Sequence, residues 1–331
     1  MSQATGIRDA ARDSLETEYQ AGREAAALVT LARGTLDVTG PKRQDFLHSM
    51  LSNEVKGLRP GEGRLAASMT AKGSLQALLR VLVDTNVVVL ESGQDRLEPV
   101  LRTLEFHKVG APVRFAMRET AVLAMIGPRA GEVLLAAGAA PLPEEKEAHR
   151  EARVGGTAVR LVRASDLPGG GFVLHAAPEA AASVSDALVA AGALAIGGEA
   201  LAALRIEALC PWYGTDVTET NLLHETGLLE LYHSSTKGCY LGQEVIARLE
   251  GRGGHVNKAL RGLRLSAPAT AGAPVTASGK EIGWLTTCAV SPRLGPIALG
   301  YVHRSHFAPG SSVEVAGAPA TVVTSFEEAA A

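Results

Sequence analysis

The 331-residue chain is 46% hydrophobic and 20% charged with a net charge of −3, a balance that suits a soluble globular protein and gives no general attraction to nucleic acid or anionic lipid. Its three cysteines, Cys210, Cys239 and Cys288, are scattered and odd in number; they argue against a disulfide framework, and no Cys-x-x-Cys pair signals a zinc or iron–sulfur site. No apolar run reaches the roughly 18 residues of a membrane span, and the charged N-terminus lacks a signal-peptide core, so the expected location is cytoplasmic.

One hydrophobic core stops growing near about 250–300 residues, so two or three units are expected. Residues 1 to about 26 alternate in charge sign and read as a polar leader, a solvated helix or frayed arm rather than a packed element. Gly34 to Val38 reads as a strand, and Gly40-Pro41 opens a helix through Phe46, Leu47 and Leu51, with proline at its favoured first position. Leu75 to Asp84 and Asn86 to Glu91 are apolar runs broken by Asp84-Thr85-Asn86, a hairpin signal. The first phrase then recurs: Val122 to Ile126, Gly127-Pro128-Arg129, and a helical run from Glu132 to Ala137 closed by Gly138. Two similar α+β units are the economical explanation. Pro141 to Glu151 reads as a surface loop, and Pro178 begins an alanine-rich helix that Gly192 ends. After Gly251-Arg252-Gly253-Gly254, short strands follow (Ala259–Leu265, Glu281–Val290, Pro296–His303, Ser312–Val315), the texture of a small β-barrel or sandwich beginning near residue 255.

The richest segment is Lys237-Gly-Cys-Tyr-Leu-Gly-Gln-Glu244. Cys239 stands beside the cation Lys237 and directly ahead of a helical run from Gln243, where a nearby ammonium and a helix N-terminus both favour thiolate over thiol. Cys239 is therefore the candidate functional thiol and Lys237 its activator; the alternative is a tight turn with a small, buried, inert thiol. Arg205, Tyr213, Lys237 and Tyr240 are candidate members of an apolar cavity with a few fixed polar groups, although Arg205 and Glu207 also fit an ordinary charged helix face. Gln243 and Glu244 fit ligand contact or capping of the turn, and Glu207 and Asp216 fit structural roles. His303-x-x-His306 lacks a third ligand in sequence and is not assigned a metal. Gly251 to Gly254 reads as a hinge. Cys210 and Cys288 read as core.

In order and spacing, Arg205 to Asp216, Glu225-Thr226-Gly227-Leu228, the octapeptide and Ile246-Ala247-Arg248 resemble the folate-binding family of the glycine-cleavage aminomethyltransferase and the YgfZ-type proteins. Lys-Gly-Cys-Tyr-x-Gly-Gln-Glu is similar to the YgfZ branch. The resemblance implies an α+β fold of three domains in a clover: residues 27–118 with 200–254 as a first α+β unit, 119–199 as a second, and 255–331 as a C-terminal β-barrel. It implies tetrahydrofolate in a central cavity. It implies support of the assembly or repair of iron–sulfur proteins, tRNA-modifying enzymes included, with iron–sulfur client or carrier proteins as partners. Two departures stand out. Where the transferase branch carries its catalytic aspartate beyond Lys72-Gly73, this chain has Leu78, and leucine offers no acid or base. The transferase's Gly-Glu-Asp-Gly-Phe-Glu stretch appears as Pro168-Gly-Gly-Gly-Phe-Val173, without its carboxylates. A folate-dependent one-carbon transferase or demethylase is the alternative activity, and a ligand-free interaction scaffold a third.

Overall fold

The computed structural model describes residues 14–327. Strands β2 (Arg33–Thr39), β3 (Gly63–Met69), β4 (Leu75–Val83), β5 (Val87–Gly93) and β6 (Arg114–Arg118) form an antiparallel sheet in the order β3-β4-β5-β2-β6. The β4–β5 hairpin turns through Asp84-Thr85-Asn86 as the sequence suggests, with Val83 opposite Val88. Helices α2 (Arg43–Met50) and α3 (Gln94–His107) cover one face. Leu97, Val100 and Leu104 recur at helical spacing on α3 and pack with Phe46 and Leu47 of α2 over Leu36, Leu79, Val81 and Leu90; each such side chain contributes about 1.5–3 kcal/mol when fully buried. Helix α2 starts two residues after Pro41, which lies in the preceding turn and not at the first helical position.

The second sheet contains β7 (Ala121–Ile126), β8 (His149–Val154), β9 (Thr157–Ala164), β10 (Gly171–Ala176) and β11 (Leu194–Ala195), backed by α4 (Ala130–Ala136) and α5 (Ala181–Ala190). It also takes β1 (Ala27–Leu31), whose residues sequence reading places in the first unit: Ala27 pairs with Ile126 and Leu31 with Val122. An extended segment satisfies its backbone groups on either sheet, and which sheet it joins is a long-range choice that local pattern does not encode. The two sheets share a core in which Val29, Leu31, Val122, Val162 and Val173 meet Leu82 and Val89 of the first sheet.

The expected polar leader is packed in its described part. Residues 14–24 are helical (α1), Tyr19 is 1% exposed, and its hydroxyl donates to Glu207 at 2.9 Å. Residues 1–13 lie outside the described residues. Glu207 ends α6 (Gly198–Glu207) and also accepts from Arg23, Ser291 and Arg293, so one carboxylate ties α1, α6 and the C-terminal domain together. From α6 the chain returns to the first sheet through α7 (Leu229–Tyr232) and α8 (Gln243–Glu250). There Val217, Leu228, Tyr232, Tyr240 and Ile246 pack on Leu65, Met69 and Leu75.

The C-terminal domain is a closed barrel of six strands, β12 (Lys258–Leu265), β13 (Pro274–Ala277), β14 (Lys280–Ser291), β15 (Gly295–His303), β16 (Ser312–Val315) and β17 (Ala318–Val323), closed by β12 against β17. Alternation places Leu263, Val275, Leu285, Ala298, Val302, Val313 and Val322 inside. On the outside, Leu260, Ile297 and Leu299 receive Ile206 of α6.

Candidate functional site

A cavity of about 400 Å³ lies where β4, β5, the β1–β2 connection and the returning segment 208–232 converge. Its walls include Leu78, Trp212, Tyr213, Leu228, Leu231 and Tyr232, and its charged members are Arg33, Arg80, Glu91, Asp95 and Asp166. Arg80 and Glu91 are opposite one another on β4 and β5 and are 2% and 1% exposed. Isolated, either charge would be costly to bury; together they form a saturated network. Arg80 donates to Glu91 at 2.6 and 2.8 Å, to Glu147 at 2.6 Å and to Asp166. Arg33 donates to Glu91 at 2.8 Å and Asp166 at 3.0 Å. Burial opposes ionisation of Glu91, but Arg80, a hydrogen bond with His175 and Arg33 outweigh it and hold the carboxyl well below its usual range.

Arginines flank one of the aromatic walls. The Trp212 ring lies 4.4 Å from the Arg205 guanidinium carbon and 5.8 Å from that of Arg33, and its buried Nε1 has no partner among the described residues. The Tyr213 hydroxyl donates to the Leu75 carbonyl at 3.0 Å. Burial, reinforced by Asp166, pushes the Tyr232 hydroxyl well above its usual range.

Of the residues expected from sequence to surround a ligand, Tyr213 lines this cavity and the others do not. Arg205 is structural: it donates to Asp216 at 2.9 Å and to the Cys210 carbonyl at 2.8 Å. Asp216 accepts in turn from Trp212 N, Thr286 and Thr287, which pins the segment to the barrel. Cys210 borders the cavity, and burial pushes its thiol up to about 12. Sequence reading missed Arg33, Arg80, Glu91 and Asp166. A trace of them was legible, since Arg80 and Glu91 each interrupt an otherwise apolar strand.

The octapeptide forms a separate feature against α2. Lys237 donates to the carbonyls of His48 at 2.5 Å and Leu51 at 2.6 Å, satisfying carbonyls that the helix end leaves open. Burial, against the pull of Glu54 and Cys239, brings its ammonium down to about 8. Lys237 also lies 4.6 Å from the centre of the Tyr240 ring. Tyr240 is buried, its hydroxyl without a partner among the described residues. Gln243 caps the turn by accepting from Tyr240 N at 3.2 Å, and Glu244 is exposed. Gly242 caps α8 at φ +80°, where an added Cβ would fall 2.4 Å from the Thr70 carbonyl oxygen. The turn therefore demands glycine and docks on the Thr70–Gly73 hairpin. Cys239 is exposed. The thiol is therefore not the small, buried one of the alternative reading, and it is not among the residues that line the cavity.

Other candidates are less convergent. His303 and His306 are joined through Ser305, and no group of three or more ligand-type residues able to hold a metal occurs among the described residues. A groove of about 1000 Å³ along α4 is lined by Pro168 to Phe172 and by Glu207, whose oxygens are already occupied. No helix among the described residues is long and apolar enough to cross a membrane.

Known proteins share this architecture. Residues 3–233 match the GCVT N-terminal domain and residues 258–325 the glycine cleavage T-protein C-terminal barrel domain. The chain therefore belongs to the glycine cleavage T-protein family, the aminomethyltransferase-like proteins. It is 31% identical to the aminomethyltransferase of Deinococcus deserti over 87% of this chain and 80% of that protein. It is 27% identical to a putative chloroplastic transferase of Arabidopsis thaliana over 85% of this chain and 66% of that protein. The fold matches the glycine cleavage system aminomethyltransferase T of Bartonella henselae with a TM-score of 0.82, over 93% of this chain and 88% of that one, at 21% identity.

Proposed function

We propose that this protein is a reduced-folate-binding accessory protein of the YgfZ type, with tetrahydrofolate in the central cavity and Cys239 as a surface thiol that serves partner proteins. Its role is to support the assembly or repair of iron–sulfur proteins, tRNA-modifying enzymes among them. The residues fit the ligand class: a slot walled by Trp212, Tyr213 and Tyr232 suits a flat bicycle. One observation carries the choice of accessory over enzyme. Both buried carboxylates lining the cavity are held by arginines, Glu91 and Asp166 by Arg33 and Arg80; the third, Asp95, is exposed beside Arg96. With Leu78 at the position of the transferase acid, the cavity holds no unpaired buried carboxylate to move a proton. The thiol, in contrast, is accessible to a macromolecule. One thiolate supplies a single ligand to a cluster, and the client or carrier provides the rest.

The second reading, a folate-dependent one-carbon transferase, is supported by the relatives named as aminomethyltransferases. The test separates the two. Cys239→Ala should leave folding and folate binding intact while abolishing support of iron–sulfur enzymes in cells that depend on this protein. Turnover of aminomethyl or N-methyl donors by the purified protein, with unimpaired iron–sulfur enzymes in the variant, would select the transferase.

A further inference from the structure

The arginine network continues beyond the cavity. Glu91 Oε2, which already accepts from Arg80 at 2.8 Å, faces His175 Nε2 at 2.7 Å. His175 stands on β10 of the other sheet, 7% exposed. It lines a second cleft, of about 840 Å³, which has no lining residue in common with the central cavity. Its Nδ1 has no partner among the described residues, so Glu91 is the hydrogen-bond partner that sets the ring's orientation.

We propose that His175 is a positioning residue for the central cavity, acting on it from the second cleft. With Glu91 ionised, Nε2–H is the donor, and it holds the carboxylate in the rotamer on which Arg33 and Arg80 are both seated. Two guanidinium groups side by side repel, and they stay together only while Glu91 and Asp166 lie between them. Arg33 in turn lies over Trp212. A rotation of Glu91 would leave Arg33 on Asp166 alone and so loosen one of the two cations that flank the indole walling the cavity. The ligand part of this inference rests on the reading of the cavity as a reduced-folate site; the positional part does not.

The experiment uses the full chain carrying Trp284→Phe, which leaves Trp212 as its one tryptophan. His175→Ala should shift Trp212 emission in the ligand-free protein and weaken tetrahydrofolate by up to about tenfold, because the ligand feels only the part of the lost hydrogen bond that misplaces the indole. His175→Leu, which fills the space without a donor, should behave alike. His175→Gln, whose amide nitrogen reaches Glu91, should restore both readouts, and free imidazole entering the cleft should rescue His175→Ala. Unchanged emission and affinity in both donor-free variants, even with a lowered melting temperature, would overturn the proposal. Failure of both His175→Gln and imidazole to restore them would also overturn it. If the parent protein binds no tetrahydrofolate, the folate reading fails, and the emission of the ligand-free variants still decides the role of His175.

Discussion

Replacing Arg80 with methionine removes the cation on which the cavity floor is built. The side chain is 1% exposed and meets Glu91, Glu147 and Asp166. Each acid keeps some support in the variant: Arg33 still reaches Glu91 and Asp166, and Ser165 still donates to Glu147 from N and Oγ at 2.8 and 2.6 Å. The loss should therefore be that of one broken buried network, about 3–5 kcal/mol, not three such losses. The pH dependence follows from Glu91. Its folded pKa is held well below 4.5, so the wild-type stabilisation is fully present above 4.5 and disappears only as pH falls through the lower folded value. Without Arg80 the buried Glu91 loses its main stabilising cation and gains by taking up a proton. The stability gap should be widest near neutrality and narrow progressively below about pH 4.5. Urea unfolding followed by circular dichroism between pH 3.5 and 8 measures it (pH limits approximate, spanning the carboxylate range). Arg59→Met serves as the control, because its pair with Glu62 is exposed, and should change nothing measurable. A loss below about 1 kcal/mol at neutral pH, or a gap that does not vary with pH, would refute the view of Arg80 as the cation holding the floor.

Thiol labelling of the native protein should modify Cys239 alone, since burial raises Cys210 to about 12 and Cys288 to about 11 while Cys239 is exposed; mass spectrometry showing early label elsewhere contradicts this. Cys239→Ala, at an exposed site, should change stability by less than about 0.5 kcal/mol in urea unfolding. Lys237 falls from 10.5 to about 8 chiefly through burial, so between those values the unfolded chain binds more protons and wild-type stability should rise with pH. Lys237→Met should lack that rise, which a melting series between pH 7.5 and 10.5 would show (limits chosen to bracket the shift, approximately). Gly242→Ala should cost about 1–2 kcal/mol for the left-handed backbone alone and more from the clash with Thr70, with Cys239 labelling altered as the turn moves.

Much of the scaffold was legible because it is local. The β4–β5 hairpin, the strand–Gly-Pro–helix phrase used twice and four of the six barrel strands each follow from a period of 2 or 3.6 with turn residues between. Strands β13 and β17 were missed: Pro274–Ala277 opens on a proline, and Ala318–Val323 begins Ala-Pro-Ala, so neither shows a clear period of 2. The sheet that β1 joins and the packing of α1 depend on contacts distant in sequence, such as Tyr19 with Glu207. The site was read less well for the same reason. The octapeptide is contiguous and stood out, whereas the cavity is assembled from Arg33, Arg80, Glu91, Asp166 and Trp212, which lie on separate segments. Arg205, singled out by the same resemblance, spends its donors on Asp216 and a backbone carbonyl.

On this reading the reduced-folate site and the thiol are distinct places on one molecule. Calorimetric titration of tetrahydrofolate into the wild type, Cys239→Ala and Trp212→Ala proteins under reducing conditions tests it most directly. The wild type and Cys239→Ala should bind alike, and binding should weaken at least about tenfold when the Trp212 wall is removed. No binding by the wild type, or binding lost with Cys239 and kept without Trp212, would contradict it.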